Sequence, residues 1–195
     1  GKRSGENLSL LPSLHENCSV AIVDRGKYKD IGFNTIEDLT THNFGTLLSR
    51  TMFRTVNRAA MLFSLKRNSG AEDNYYDAAT AQWGFNSSHF TGSWGQVGSG
   101  TAIATRGDIC LKGTLSTSPE SSPLMMVASS GLTSISCLGA LGAGGAGTIN
   151  EAVLYGYFTD YIGAQRYSVL CRDNISPAMV FSAGNSIILS YTCNL

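Results

Sequence analysis

The last quarter of the chain, Gly147 to Leu195, leaves the least freedom for the fold. Ala152, Leu154 and Tyr157 begin a first apolar run. Tyr167, Val169 and Cys171 then alternate with Ser168, Leu170 and Arg172, and Ile187, Leu189 and Tyr191 alternate with Ile188, Ser190 and Thr192. A period of two, rich in aromatic and branched side chains, fits a half-buried antiparallel sheet and no helix. Gly163, Asp173-Asn174, Pro177 and Gly184-Asn185 read as the joints, each a turn former for its own backbone reason. The stretch therefore predicts three or four strands that complete a sheet. It contains no pattern of an active site.

The whole chain has 195 residues, enough for one good core and one compact domain with extensions. Its charged fraction is 14%, against about a quarter in soluble domains generally. A neutral, hydroxyl-rich surface of this kind suits a protein whose exterior is covered by neighbours, or an extracellular β-protein. The formal net charge is zero, so no global field draws in nucleic acid or an acidic membrane, and neither is an expected partner. No uninterrupted apolar window of about 18 residues is present to span a bilayer as a helix. No apolar leader core follows Gly1-Lys2-Arg3-Ser4-Gly5. Cys18, Cys110, Cys137, Cys171 and Cys193 are scattered, with no C-x-x-C pair. They read as reduced thiols packed as small apolar residues, with a Cys171–Cys193 disulfide as the alternative.

Residues 1–17 read as an extended N-terminal arm, with Leu8, Leu10 and Leu11 able to anchor it on a neighbour. Cys18 to Val23 opens a single β-rich domain, residues 18–195. Asn43 to Arg67 reads as one amphipathic helix, with Leu48, Met52, Val56, Ala59 and Phe63 on its apolar face. Arg50, Arg54 and Arg58 form a basic stripe on its other face, read as an intersubunit or solvated surface. A phosphate-binding surface would carry more lysine and interleaved aromatics. Ala71 to Gly100 reads as a long polar and aromatic excursion with short strands, for example around Gln82 to Phe85. Tyr75, Tyr76, Trp83 and Trp94 are its interface candidates, for protein contact or, alternatively, for a host glycan. Thr101 to Leu115 reads as two strands about a turn at Arg106-Gly107-Asp108, and Leu124 to Leu138 as one or two more.

Gly142 to Gly147 matches G-x-G-x-x-G. A dinucleotide site needs a helix after it and an acidic residue about 20 positions on. Strand-like residues follow instead, and position 167 is Tyr, so the run reads as a hairpin loop. His15, His42 and His89 are isolated, and Glu151 and Asp160 are too few to define a catalytic pair. No G-x-S-x-G elbow occurs. No catalytic, cofactor-binding or metal-ligating residue is assigned, and no cofactor is expected.

Four segments resemble bacteriophage structural virion proteins of the tail, collar, neck or fibre, those with a β-sandwich C-terminal half. Val97-Gly98-Ser99-Gly100-Thr101 with Asp108 and Leu111 is similar to that family's G-x-G-T … D … L segment. Thr148 to Tyr155 is similar to its I-x-E-x-G-L-F/Y strand, with Val153 in place of the glycine. Leu170-Cys171-Arg172 with Ile175-Ser176-Pro177 is similar to L-x-R … F-S-P, and Ala183 to Thr192 to A-G-D-S-I-x-V-x-Y-T, with Asn185 in place of the aspartate. The resemblance implies a structural protein of the virion with no catalytic residues. It would form a symmetric homo-oligomer and bind other capsid, neck or tail proteins. The expected fold is mainly β, an antiparallel β-sandwich or jelly-roll-like domain with one amphipathic α-helix.

Overall fold

The computed structural model describes residues 15–35, 40–52, 62–67, 70–76, 90–113, 124–131, 134–159 and 164–194. The chain order is β1 (His15–Asp24), β2 (Lys27–Asn34), α1 (His42–Met52), β3 (Leu62–Lys66), β4 (Glu72–Tyr76), β5 (Phe90–Gly98), β6 (Leu124–Ser130), β7 (Ser134–Gly142), β8 (Gly147–Thr159), β9 (Gln165–Phe181) and β10 (Ser186–Asn194).

Eight strands close into one antiparallel barrel in the order β1-β10-β7-β6-β5-β8-β9-β2. The mainly β expectation holds, but the sheet closes on itself instead of forming a clear sandwich or jelly roll. The physical reason is that β8 and β9 are long enough to pair on both sides. β8 lies between β5 and β9, and β9 lies between β8 and β2. The seams are short. Among the described residues β2 meets β9 only at Phe33↔Ser176 and Asn34↔Ile175, and β5 meets β6 only from Ser93↔Met126 to Gly95↔Leu124. By contrast β10 pairs along its whole length with β1 on one side and β7 on the other. The final strand thus closes its own barrel.

The period of two sends one side chain of each pair inward. Val20, Ile22, Ile149, Phe181, Ile187 and Leu189 are fully buried and form the centre of the core. A buried side chain of this size contributes about 1.5–3 kcal/mol. Beyond the β2–β9 seam, α1 and β3 fill the opening. Leu47 and Leu65 enter the same core, Phe44 packs against it, and Thr40 and Arg67 bridge to Cys171 and Ser168 of β9.

Several boundaries differ from the sequence reading. β1 begins at His15, inside the stretch read as an arm, because Glu16 already points into the barrel. The helix begins one residue early, at His42, but Leu62–Lys66 is a strand paired with β4, not its last turns. Within that strand Leu65 is buried and Lys66 exposed, the alternation of a strand. β9 runs straight through Asp173-Asn174 and Pro177, which are not turns. Of Thr101 to Leu115, read as two strands, the described residues 101–113 belong to an irregular loop that starts at Ser99. The glycine run is a loop but not the expected hairpin: β7 ends at Gly142 beside β10 and β6, β8 starts at Gly147 beside β5 and β9, and the two strands it joins do not pair. Gly184, at φ 84°, makes the tight turn into β10.

Candidate functional site

Arg172 lies on the outer side of the β8–β9 ladder, opposite Val153. It is fully buried because the 99–113 loop folds over it. Its guanidinium donates from Nε to Glu151 Oε2 at 2.8 Å, from Nη1 to Asp108 Oδ2 at 2.8 Å, and from Nη2 to the Ala102 carbonyl at 2.9 Å. Nη2 also lies 2.6 Å from Glu151 Oε2. Glu151 Oε1 accepts the backbone N–H groups of Gly100, Lys112 and Gly113 at 2.9, 3.0 and 2.7 Å. Both ends of the loop are therefore held by one carboxylate. Asn174 adds two more ties, accepting from Ala104 N–H and donating to the Ala102 carbonyl. These bonds satisfy the loop's backbone without a strand partner, which is why its apolar residues do not form the two expected strands.

A Cβ at Gly100 or Gly113 would collide with the opposing backbone or with the Glu151 carboxylate, so these positions require glycine. Asp108 is pushed up by burial. Hydrogen bonds from Thr105, Lys112 and Arg172 and the Arg172 charge outweigh that, and its carboxyl lies below the ordinary value. With this carboxylate engaged, the Arg106-Gly107-Asp108 tripeptide is a turn, and its aspartate is not displayed. Three of the four segments quoted for the resemblance thus meet at one place, through Gly100, Asp108 and Leu111 in the loop, Glu151 on β8 and Arg172 on β9, while Ala183 to Thr192 lies elsewhere, in the turn before β10 and in β10 itself. What unites them is a structural lock, a buried cation satisfied by two carboxylates.

A second cluster sits inside the barrel. Glu16, Cys18, Cys171, Asp173 and Tyr191 are all buried there. Asp173 is pushed up to about 7 by burial, against the opposing influence of Glu16, Tyr191, the Arg172 charge and Asn34. Its side chain is in hydrogen-bond reach of Glu16, which two carboxyl groups sustain with a proton between them. Burial also raises the thiols of Cys18 and Cys171, and Cys193 is held up to about 11. All five cysteines are free, so Cys171 and Cys193 are not joined. The described residues contain no group of three or more His, Cys, Asp or Glu side chains arranged to hold a metal ion.

An open cleft of about 330 Å³ lies at the start of α1. Lys66 and Arg106 line it together with Glu72 and Asp108, two charges of each sign, beside His42. No net charge or converging nucleophile marks it for a particular ligand.

Of the interface candidates, Leu8, Leu10, Leu11, Arg54, Arg58 and Trp83 lie outside the described residues. Arg50 is in α1, and Tyr75 and Tyr76 are in β4. Trp94 is in β5, half-buried, with its ring edge-on to Tyr157 at 5.7 Å and to Tyr167 at 5.9 Å. Tyr157 and Tyr167 stack at 4.5 Å. The Trp94 indole Nε1 is buried and finds no acceptor among the described residues.

The surface the sequence reading missed is the outer wall made by β2, β1, β10, β7 and β6. Register aligns its outward side chains in rows. One row is Ile31, Ala21, Ile188 and Ala140, and the next is Phe33, Ser19, Ser190, Leu138 and Val127. A third is Asn17, Thr192, Ser136 and Ser129. None of these positions is charged. Of the seven exposed large hydrophobic side chains, five (Tyr28, Ile31, Phe33, Val127 and Leu138) belong to this wall, which makes it the main apolar patch of the described surface. The signal was present as outward-facing residues of alternating strands that, away from the β1–β2 turn, are Ser, Thr, Asn, aliphatic or Phe.

No family model, curated protein or solved structure matches this chain.

Proposed function

We propose that the chain is a structural component of a bacteriophage particle (tail, neck or collar, head fibre or decoration) and acts by binding neighbouring protein chains, not by catalysis. The observation that carries this reading is the set of three uncharged register rows on the outer wall of β2, β1, β10, β7 and β6, with the charges of Asp24, Lys27, Lys29 and Asp30 confined to the end at the β1–β2 turn. A surface exposed to solvent normally interleaves charges of both signs, and a large charge-free, partly apolar face marks a surface that is covered in use. The buried carboxylates support the same reading. Glu151 and Asp108 are consumed in holding a loop, and Glu16 and Asp173 lie inside a packed barrel. The four motif segments that resemble virion proteins are what suggests a phage particle as the setting of that role.

The test is incorporation. A tagged copy supplied during infection is expected to co-purify with intact particles through a density gradient, at a fixed ratio to the major capsid protein. A chain that stays in the soluble fraction would sink the proposal. A second reading, recognition of a host glycan, is favoured by the Trp94, Tyr157 and Tyr167 rings, since aromatic faces stack on sugar rings. Trp94→Ala is then expected to abolish retention on a host-glycan array while particle incorporation continues.

A further inference from the structure

The outer wall is self-complementary, and we infer that a second copy of this chain occupies it about a twofold axis. The inference rests on the assembly reading above and names its partner. In a twofold contact the same patch faces itself, so every charge on it would meet a like charge near the axis. The three register rows of the β2-β1-β10-β7-β6 wall carry none. Its polar positions are chiefly hydroxyls: Ser19, Ser190, Thr192, Ser136 and Ser129. A hydroxyl both donates and accepts, so it can pair with its own kind. Ser136 and Thr192 already do so within the wall, at 3.2 Å. Its apolar positions, with Leu138 53% and Phe33 58% exposed, form a stripe that gains by being covered.

The dimensions suit a small interface. Five strands about 4.8 Å apart and three outward rows about 7 Å apart give a footprint of roughly 500 Å² before side-chain relief is counted. Two such faces together reach the roughly 1,000 Å² that separates a specific contact from a chance one. The charges lie at one end only. Asp24, Arg25, Lys27 and Lys29 surround the β1–β2 turn, where they form a polar rim with both signs present. A partner carrying a strong single-sign surface has nothing to pair with on the wall itself. The opposite side of the barrel differs in kind, because the 99–113 loop already covers it.

The experiment is sedimentation of the purified chain with two variants, Leu138→Lys and Leu138→Asp. The wild type is expected to dimerise. Each variant alone is expected to be monomeric, with dimerisation weakened by at least about 100-fold, because like charges then face each other across the axis. A mixture of the two is expected to recover a heterodimer, which happens only if the same face is used on both copies. Leu138 points outward, and an unchanged melting curve for each variant confirms that the barrel is intact; Val127→Glu on the adjacent strand is expected to give the same monomer. A wild type that stays monomeric at its highest soluble concentration overturns the inference, as does a dimer that survives all three variants. A dimer lost singly but not restored in the mixture points to unlike faces and also overturns it. A monomer that still joins particles leaves the assembly reading standing, whereas a dimer absent from particles overturns that reading and leaves the contact.

Discussion

Arg172 and Asp173 are consecutive on β9, and both are buried, yet they show opposite ways of placing a charge inside a protein. Strand alternation sends Arg172 outward under the 99–113 loop and Asp173 inward to the barrel. On the outer side a cation meets two carboxylates and a carbonyl, and Asp108 there is held below its ordinary value. On the inner side the side chains that approach Asp173 are Glu16, Tyr191 and Asn34, none of them a cation, and its carboxyl rises to about 7. Burial is common to both. The partners decide the protonation state. A buried charge with full partners fixes a loop in one position, while a buried acid without a cation partner keeps its proton.

The largest break in this comparison should come from Arg172→Met. It removes the cation and leaves Glu151 and Asp108 buried without it, at a cost of about 3–5 kcal/mol. A urea melt is expected to show that loss, and limited proteolysis to show new cleavage within residues 99–113. Equal stability with an uncut loop would mean that the lock does not hold it.

The inner cluster should show itself through pH. An unfolded aspartate titrates near 3.8 and Asp173 in the fold near about 7. Below the first value both states are protonated and nothing is lost. As pH rises from there to about 7 the unfolded state gives up its proton and the folded state keeps it, so stability falls, by on the order of 2–4 kcal/mol. Asp173→Asn is expected to flatten that slope in melts from pH 4 to 8. Asp108 has the opposite sign. Its lowered carboxyl gives stability that is present above its unfolded value and lost as pH falls below it. The two clusters together place the stability maximum on the acid side of neutral, and a maximum above pH 7 would contradict this.

A smaller effect separates the thiols. Cys18, Cys137 and Cys171 are buried, and burial raises each of them. In a thiol titration at pH 8 these three are expected to react only on unfolding, while half-buried Cys110 reacts in the native state. Fast native labelling of Cys171 would show that the barrel opens.

The sequence made some of this legible. The alternation around Ile187 and Leu189 marked β10, Gly184-Asn185 marked its turn, and the glycine run marked the break between β7 and β8, though not that these strands part company instead of pairing as a hairpin. Asp173-Asn174 was misleading because turn preference is local, and here it is overridden. Asn174 spends its side chain on Ala102 and Ala104, and Asp173 faces Glu16. The lock was out of reach for another reason. Glu151, Arg172 and Asp108 come from three separate segments, and only the folded register brings them together. A trace was visible all the same, since Glu151 is the one charge of β8 and Arg172 follows the apolar Val169-Leu170-Cys171, in a chain poor in charge. Barrel closure left no local trace, because the β2–β9 seam is a few residues long.

The pairing of β1 with β10 carries a consequence for synthesis. A ribosome releases residues 15–24 long before residues 186–194, yet these are the segments that lie side by side. Until the later one emerges, β1 and β7 each expose an unpaired edge, and the core between them stays open to water. A translation stall or a cut just before Ser186 would therefore yield an adhesive intermediate, not a slightly shortened barrel.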